Sequence, residues 1–242
     1  MHNNFNNNIN NNSLCRLAFG WNYKSWSHAL KLSNLELPYR VDKIIEIGAG
    51  KNSMTALLFD GLAKEIVISY YRQQDREAVE QYLNSVRQRY KLYSKYVFKQ
   101  VDAFNLVGSY DIVIMKSVLG GLFRNRNSSI SDANDFIAHL VSTRLKPGGQ
   151  LISIDNGKSI LERLISKFGA RKNKWFFYKK LDLRNTTKQT GFGLLSSFCF
   201  ETRLGYVGNI IDNFVIYPLD LILVKFWRHN PTIIVSIFKN HS

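Results

Sequence analysis

Short apolar runs alternate with amphipathic segments over the first two thirds of this chain. Each run has the length and composition of a strand that is buried on both faces of a sheet. A glycine, a proline or a cluster of polar residues bounds most of them, as expected where strands end. These predicted strands cover residues 43–47, 65–69, 96–101, 110–115 and 150–154.

The segments between the strands carry apolar residues at helical spacing. In residues 75–90, Val79, Leu83 and Val86 fall on one face of a helix, and residues 132–145 form a second such segment. A further helix is expected to begin at Ser53 or Thr55. Strands that alternate with helices in this way form βαβ units, which predicts an α/β fold with a mostly parallel sheet and helices on both faces.

The last third of the chain has a different composition. Residues 160–188 contain nine Lys and Arg side chains, and aromatic residues lie among them from Trp175 to Tyr178. Residues 194–200 and 232–238 are typical of strands, and residues 210–226 of an amphipathic helix with a kink at Pro218. We expect residues 160–230 to form the substrate region, because they follow the last strand of the alternating part.

An asparagine-rich segment opens the chain, with Asn at eight of the first twelve positions. Such a composition buries little apolar surface, so we expect residues 1–13 to be a disordered tail. Residues 14–37 are then predicted to form one helix that covers the site, and Pro38 ends it. A length of 242 residues suits one domain, here residues 14–242 with a core at 41–154.

The net charge is +15, from 33 Lys and Arg against 18 Asp and Glu. This excess favours contact with phosphates, RNA or an anionic membrane surface, although solvated basic faces have the same composition. Two cysteines are too few for a disulfide framework or a cysteine-rich zinc site. We therefore expect no metal site and a reducing, cytoplasmic setting, with peripheral membrane contact as an option.

The most apolar late stretch is interrupted by charged residues. It covers residues 205–227 and contains Asp212, Asp220 and Lys225 as well as a proline. No run of about 18 uncharged apolar residues remains, so we expect no transmembrane helix. The N-terminus has no basic region followed by an apolar core, so it does not resemble a secretory signal.

Glycines follow the first predicted strand, in the segment Glu46-Ile47-Gly48-Ala49-Gly50. A turn without side chains lets backbone N–H groups approach a ligand closely, and open parallel sheets bind ligands beyond the carboxyl ends of their strands. A dinucleotide site would need a third glycine at position 53, where this chain has Ser53. The segments that accompany the turn favour another family.

Those segments are Val101-Asp102-Ala103, Tyr110-Asp111-Ile112-Val113 and Leu145-Lys146-Pro147-Gly148-Gly149. In this order and spacing, and together with the glycine turn, they resemble the class I S-adenosylmethionine-dependent methyltransferases, in particular the small-molecule branch. The resemblance covers about residues 41–154. It implies a Rossmann-like sheet of seven strands, of which the last, residues 232–238, is antiparallel.

The resemblance also implies that S-adenosylmethionine is the cofactor and that each motif contacts a particular part of it. The glycine turn would lie beneath the methionine part, and Glu46 would fix the turn or reach the amino group through water. Asp102 would accept a hydrogen bond from the adenine. Lys116 and Ser117 would lie near the methyl group. The implied cofactor residues are Glu46, Gly48, Ala49, Gly50, Ser69, Asp102, Ala103 and Lys116.

The sequence departs from the family pattern at two positions. The third glycine of the turn is Asn52, a residue that tolerates left-handed backbone. The acid that holds the ribose at the end of the second strand is missing, since that strand ends in Ser69 and Tyr70. Ser69 or Tyr70 takes over weakly, or Asp75 folds back, or cofactor binding is poor.

The function that we predict is methyl transfer to an O or N acceptor on a small or glycan- or lipid-linked anionic substrate. The residues after the fourth strand lack the motifs by which nucleic-acid methyltransferases resemble one another. Lys116, Ser117 and His28 are candidate catalytic residues by type, because a hydroxyl acceptor needs a base. An RNA methyltransferase and a non-catalytic scaffold that keeps the fold are the alternatives, and the oligomeric state stays open.

Overall fold

The computed structural model describes residues 4–51, 53–124, 129–159, 177–196, 200–226 and 230–242, with the backbone alone at positions 202 and 203. Within these residues seven strands form one sheet in the spatial order β3-β2-β1-β4-β5-β7-β6. The last strand in the chain is antiparallel to both of its neighbours. The predicted seven-stranded, mostly parallel sheet is confirmed. The strands are β1 Val41–Ile47, β2 Ala63–Tyr70, β3 Lys95–Gln100, β4 Tyr110–Lys116, β5 Leu145–Asn156, β6 Lys188–Phe192 and β7 Ile233–Lys239.

Helices cover both faces of the sheet, as predicted. Alternate side chains of a strand point to opposite faces, so Ile44 contributes to one core and Ile45 to the other. The first core contains side chains of α1 to α4, and the second those of α5 and α6. The helices are α1 Asn4–Asn10, α2 Asn12–Phe19, α3 Tyr23–Leu32, α4 Arg76–Arg87, α5 Leu119–Leu122, α6 Ile130–Arg144, α7 Glu201–Ile211 and α8 Tyr217–Phe226; the helix expected at Ser53 or Thr55 is a short 3₁₀ helix, Thr55–Phe59.

The strand order reverses at β1, which lies between β2 and β4. The chain runs from β1 to one edge of the sheet through β2 and β3, and returns to β4 on the other side. The carboxyl ends of β1 and β4 therefore lie side by side, with Ile47 in register with Met115. A crevice at such a reversal is where open parallel sheets bind ligands.

The N-terminal segment is folded in its described part, so the predicted disorder of residues 1–13 is wrong there. In α1, Phe5 and Ile9 are buried, and the Phe5 ring lies 5.0 Å from the ring of Phe59. Two apolar residues four positions apart form one face of a helix, and that face packs on the core. Asparagines dominate the composition of this segment, so composition alone does not reveal the short apolar pattern.

Two helices replace the single helix predicted over residues 14–37. The first ends at Gly20, whose φ of 70° is a left-handed conformation that glycine adopts without steric cost. The second begins after Asn22, which also has a positive φ and whose side chain donates to the Ser196 carbonyl at 3.1 Å. The chain turns between the helices and brings the segment 19–22 to the site.

The sixth strand is Lys188–Phe192, and the strand predicted at residues 194–200 is wrong for its described residues. The amides of Leu194, Leu195 and Ser196 donate to the Asp220 carboxylate, and none of the three is in a strand. A carboxylate on a neighbouring helix therefore takes the donors that a strand would use in its ladder.

The predicted late amphipathic helix is longer than expected, and its irregular turn precedes Pro218. A π-helical turn occupies Asp212–Ile216 and joins α7 to α8. Proline lacks an N–H group, and the widened turn lies just before the position where the regular hydrogen bond is missing. We call Leu204–Phe226 the late helix.

The late helix also bears on the expectation that no helix could cross a membrane. By length and composition alone, its 23 residues are long and apolar enough to do so, despite the charged residues. Only 33% of its most apolar window is buried in the fold. Length and composition alone do not assign a membrane-spanning role, because the core helices of soluble proteins meet the same two criteria.

Candidate functional site

The glycine turn follows β1 and is fastened to the end of β2. Gly48 has a φ of 73°, and its N–H group donates to the Ser69 hydroxyl at 3.1 Å. The N–H of Ala49 donates to the Ser69 carbonyl at 3.1 Å. Ser69 is buried, so it shapes the turn from within the fold.

Glu46 fixes the far side of the same turn. Its carboxylate is buried and accepts hydrogen bonds from the backbone N–H groups of Thr55 at 3.0 Å and Ala56 at 2.8 Å. These bonds cap the 3₁₀ helix that follows the turn. Burial raises the pKa of Glu46 to about 7, against the lowering effect of those bonds and of the Lys116 charge. Of the two roles that the resemblance implies, this geometry supports fixing the turn.

Ser117 lies at the carboxyl end of β4, beside the turn. It has a φ of 56°, in the left-handed region that a non-glycine residue seldom adopts. Its hydroxyl oxygen is buried and has no hydrogen-bond partner among the described residues. A Cβ placed on Gly48 would lie 3.1 Å from Val118 Cγ2, so the turn and the end of β4 approach closely.

Lys116 joins the end of β4 to the N-terminal segment. Its Nζ donates to the Phe19 carbonyl at 2.9 Å and lies 5.1 and 5.2 Å from the rings of Trp21 and Trp26. A lysine held in this way stabilises the segment between α2 and α3 over the edge of the sheet. The local sequence around Lys116 gives no sign of this contact.

Asp102 and Ala103 follow β3, where the resemblance places the adenine. The Asp102 carboxylate accepts hydrogen bonds from the Phe104 amide at 3.1 Å and from the Asn105 side chain at 2.7 Å, and so caps a short 3₁₀ turn. Ala103 is buried, and Phe104 is half exposed. The cofactor role of Asp102 and Ala103 stays a prediction.

The missing acid after β2 has a partial counterpart in Asp75. Its carboxylate pairs with Lys51 Nζ at 3.2 Å, next to the glycine turn, and with Arg72 Nε at 3.1 Å. The hydrogen bond from Lys51 holds the pKa of Asp75 below its ordinary value. Tyr70 is buried, with its hydroxyl 3.4 Å from the Gln73 side-chain oxygen. These contacts place Asp75 next to the turn, and which of the options left open replaces the missing acid stays a prediction.

Asp155 is a buried acid that the sequence pattern did not single out. It lies on β5, accepts hydrogen bonds from Ser153 Oγ at 2.9 Å and the Gly120 amide at 3.3 Å, and has no exposed surface. Burial raises its pKa to about 7, and the Lys116 charge opposes that rise. An acid that directly follows the mostly apolar run 151–154 is the signal that could have found it.

His28 lies away from these residues, between α3, β6 and α8. Its ring centroid is 4.4 Å from that of Phe192, and its Nδ1 is 3.3 Å from the Tyr217 hydroxyl. Burial, followed by the charge of Lys31, lowers the pKa of His28. No described contact joins His28 to Lys116 or Ser117, and its catalytic role stays a prediction.

A cavity of about 900 Å³ opens beside the glycine turn, between α2 and α4. Among the described residues, its cationic wall residues are Arg16, Lys51 and Arg89, and its one acid is Glu201. No ion pair involves Arg16 or Arg89 within the described ranges. The aromatic wall residues are Trp21, Tyr82 and Tyr90.

Several predicted features lie outside the described residues. They are Asn52 of the glycine turn and residues 160–176 of the basic and aromatic stretch 160–188. In the parts of the chain that the structure does describe, no group of three or more His, Cys, Asp or Glu side chains is placed to hold a metal ion.

No protein-family model and no curated protein sequence matches the chain. Several solved structures, however, match its fold. An S-adenosylmethionine-dependent methyltransferase from Methanosarcina mazei superposes with a TM-score of 0.55 at 16% identity, over 84% of this chain and 94% of that one. A chain from the complex of the Haloferax volcanii Trm112 methyltransferase activator with a methyltransferase gives 0.53 at 11% identity, over 90% and 91%. The N-methyltransferase NodS from Bradyrhizobium japonicum, in complex with S-adenosylhomocysteine, gives 0.50 at 13% identity over both whole chains.

At identities this low, a structural likeness establishes the fold alone. The strand order, the antiparallel β7 and the glycine turn after β1 agree with that likeness. The protein has the fold of the class I S-adenosylmethionine-dependent methyltransferases.

Proposed function

We propose that the protein is an S-adenosylmethionine-dependent methyltransferase acting on an O or N atom of a small or glycan- or lipid-linked anionic acceptor. The observation that carries the proposal is Ser117, a left-handed residue with a buried and unpartnered hydroxyl next to the glycine turn. Strained residues and unsatisfied polar atoms concentrate at ligand sites, and this one lies where the fold binds ligands.

The residues around the turn fit the cofactor by their chemistry. The glycines let the backbone of the turn lie in close contact with the Val118 side chain after β4, and the Ser117 hydroxyl is available to a polar group of the ligand. Gly48, Ala49 and Gly50 would hold the methionine part, and Asp102 the adenine amino group. Ser69 would act through the turn, because its hydroxyl already accepts the Gly48 N–H.

Bound S-adenosylmethionine supplies a methyl group on a positively charged sulfur, so the protein contributes mainly by positioning. In this proposal Lys116 is a positioning residue. Its hydrogen bond to Phe19 holds Trp21 and the end of α2 at the wall of the cavity. Closing the site in this way excludes water from the reacting groups.

The cavity wall favours an anionic acceptor. Lys51 is paired with Asp75, which leaves Arg16 and Arg89 to face the acid Glu201 there. Arginine pairs well with carboxylate or phosphate. The volume is within the range of sites for small molecules, and the three aromatic side chains offer apolar contact. The substrate role expected of the basic and aromatic residues 160–188 stays a prediction, because most of them lie outside the described residues.

Calorimetric titration with S-adenosylmethionine and S-adenosylhomocysteine tests the cofactor site. We expect the native chain to bind at about micromolar concentration and Asp102→Ala to abolish that binding. Ser117→Gly removes the hydroxyl but relieves the backbone strain, and should weaken binding about tenfold. Asp182→Ala is the matched control, because Asp182 caps a turn far from the site along the chain. No binding by the native chain would favour the non-catalytic scaffold.

The acceptor class is tested with radiolabelled S-adenosylmethionine and three separate extracts: polar metabolites, lipids and RNA. We expect the native chain to label polar metabolites or lipids. The Arg16→Ala/Arg89→Ala variant should transfer much less label while its affinity for S-adenosylhomocysteine stays unchanged. Label in RNA, with binding that weakens steeply as salt rises, would instead favour the RNA methyltransferase alternative.

A further inference from the structure

The late helix departs from the usual amphipathic pattern. Its polar residues Asn209, Asp212, Asn213 and Asp220 are buried against the fold, where they share the inner face with apolar residues such as Leu221. A surface helix of a soluble protein normally turns its charged face to water. Here the outward face lacks those polar residues, which indicates that it meets an apolar environment.

The outward face carries almost no charge. Of its twelve exposed positions, nine hold large apolar side chains, and Lys225 is the one charged residue among them. The most exposed are Tyr206 at 74%, Phe214 at 63% and Phe226 at 79%. The helix is kinked at Gly205, and most of these apolar residues follow the kink, from Tyr206 to Phe226. Single exposed apolar residues are common, but a row of this length marks an interaction surface.

The buried acids fix which face points outward. Asp220 accepts hydrogen bonds from the amides of Leu194, Leu195 and Ser196 at 2.8, 2.7 and 3.0 Å. Asp212 caps the start of α7 in the same way, through the amides of Phe200 and Glu201. Rotation of the helix would leave all of these donors without acceptors, so the apolar face stays outward.

The same bonds argue against a helix that crosses a bilayer. Crossing would carry two carboxylates from their backbone partners into hydrocarbon, which is among the costliest environments for a charge. A helix that lies along the interface keeps its polar side on the protein and its apolar side in the lipid.

Cations border the apolar face. The Lys24 ammonium lies 3.9 Å from the centre of the Phe214 ring, and Lys31 is two turns along the same side of α3. Lys225 lies at the end of the face, while Glu201 is turned inward and accepts from the Asn209 side chain at 2.8 Å. The net charge of +15 adds long-range attraction to anionic lipid.

We propose that the outward face of the late helix docks on an anionic lipid surface, with the helix in the plane of the interface. Apolar side chains would enter the boundary between headgroups and acyl chains, and the bordering lysines would contact the phosphates. Docking would hold the chain at a membrane whether or not it transfers methyl groups, so this proposal and the proposed function can fail separately.

Cosedimentation of the full chain with vesicles tests the proposal. The vesicles are phosphatidylcholine with and without phosphatidylglycerol, and we expect binding to those with phosphatidylglycerol, reversed by high salt. Phe214→Glu/Ile222→Glu should weaken that binding about a hundredfold, because each apolar side chain kept out of the lipid costs about tenfold in affinity. The matched control Tyr93→Glu/Val107→Glu places two acids at exposed apolar positions elsewhere and should bind like the native chain.

Folding of the variants is checked by circular dichroism, and Phe214→Ser/Ile222→Ser provides a milder pair without added charge. A native chain that stays in the supernatant, or a Phe214→Glu/Ile222→Glu variant that binds equally well, would overturn the proposal. Binding that resists high salt and alkaline carbonate would indicate a spanning helix instead. A native dimer that these substitutions dissociate, without vesicle binding, would assign the face to a second copy of the chain.

Discussion

Glu46 provides a test of the turn that shapes the candidate site. The carboxylate is buried and bridges the amides of Thr55 and Ala56, and burial raises its pKa from 4.5 to about 7. The folded protein therefore holds this proton at pH values where the unfolded chain has released it. Part of the pH dependence of the stability should therefore come from this side chain.

The sign and size of the effect follow from the two pKa values. Because the folded-state pKa is the higher one, protonation stabilises the fold below pH 4.5, and that contribution is lost as the pH rises to about 7. A difference of 2.5 units (7 minus 4.5) corresponds to roughly 3 kcal/mol at about 1.36 kcal/mol per unit. Above pH 7 the curve due to Glu46 should be flat.

Urea denaturation followed by circular dichroism, between pH 5 and pH 8, measures this contribution. Glu46→Gln removes the titrating group and one hydrogen bond at every pH, which costs about 1–3 kcal/mol. Asp155 has a similar pKa and titrates in both proteins, so the comparison cancels its contribution. We expect the stability of the native chain to fall by roughly 2–3 kcal/mol more than that of Glu46→Gln over this range.

Parallel curves for the native chain and Glu46→Gln would refute the reasoning. They would mean that Glu46 titrates at its ordinary value, so that water reaches the carboxylate and the turn is open. In that case the second implied role of Glu46, a contact to the cofactor amino group through water, would become the better interpretation.

Three further predictions concern other parts of the molecule. Asp220→Ala removes the acceptor of three backbone amides, and at about 1–3 kcal/mol for each orphaned donor should cost at least about 3 kcal/mol in urea denaturation. Phe5→Ala should cost about 3 kcal/mol because the ring is buried, whereas Phe226→Ala should change stability by less than about 0.5 kcal/mol. Asp75→Asn should weaken S-adenosylhomocysteine binding in calorimetry if Asp75 replaces the missing acid, and equal affinity would leave the ribose without an acidic partner.

The central strands were predictable because a strand that is buried on both faces is a continuous apolar run. The strand Lys188–Phe192 has few apolar residues, and it lies at an edge of the sheet that the described residues form. The apolar run after it was mistaken for a strand. Its amides bond to Asp220, about 25 residues along the chain, and a local pattern cannot show such a partner.

The candidate site was predictable where it depends on chain order. Glycines after β1 and the residues after β4 must meet, because the ends of neighbouring parallel strands lie at one edge of the sheet. Contacts that depend on tertiary packing were not predictable. The bond from Lys116 to Phe19 spans 97 positions, and the left-handed Ser117 is imposed by its surroundings and not by serine itself.

The proposed acceptor cavity and the proposed lipid-binding face are adjacent in the chain at Glu201. This residue lines the cavity and lies three residues before the first exposed position of the late helix. A lipid-linked acceptor would keep its chains in the bilayer while its anionic group reaches Arg16 and Arg89. Phe214→Glu/Ile222→Glu should then abolish methylation of the lipid in vesicles and leave methylation of the same lipid in detergent unchanged. Arg16→Ala/Arg89→Ala should abolish both activities and still bind vesicles. Equal decreases on both substrates in the first variant would separate the docking face from catalysis, because a fold that is merely damaged does not distinguish vesicles from detergent.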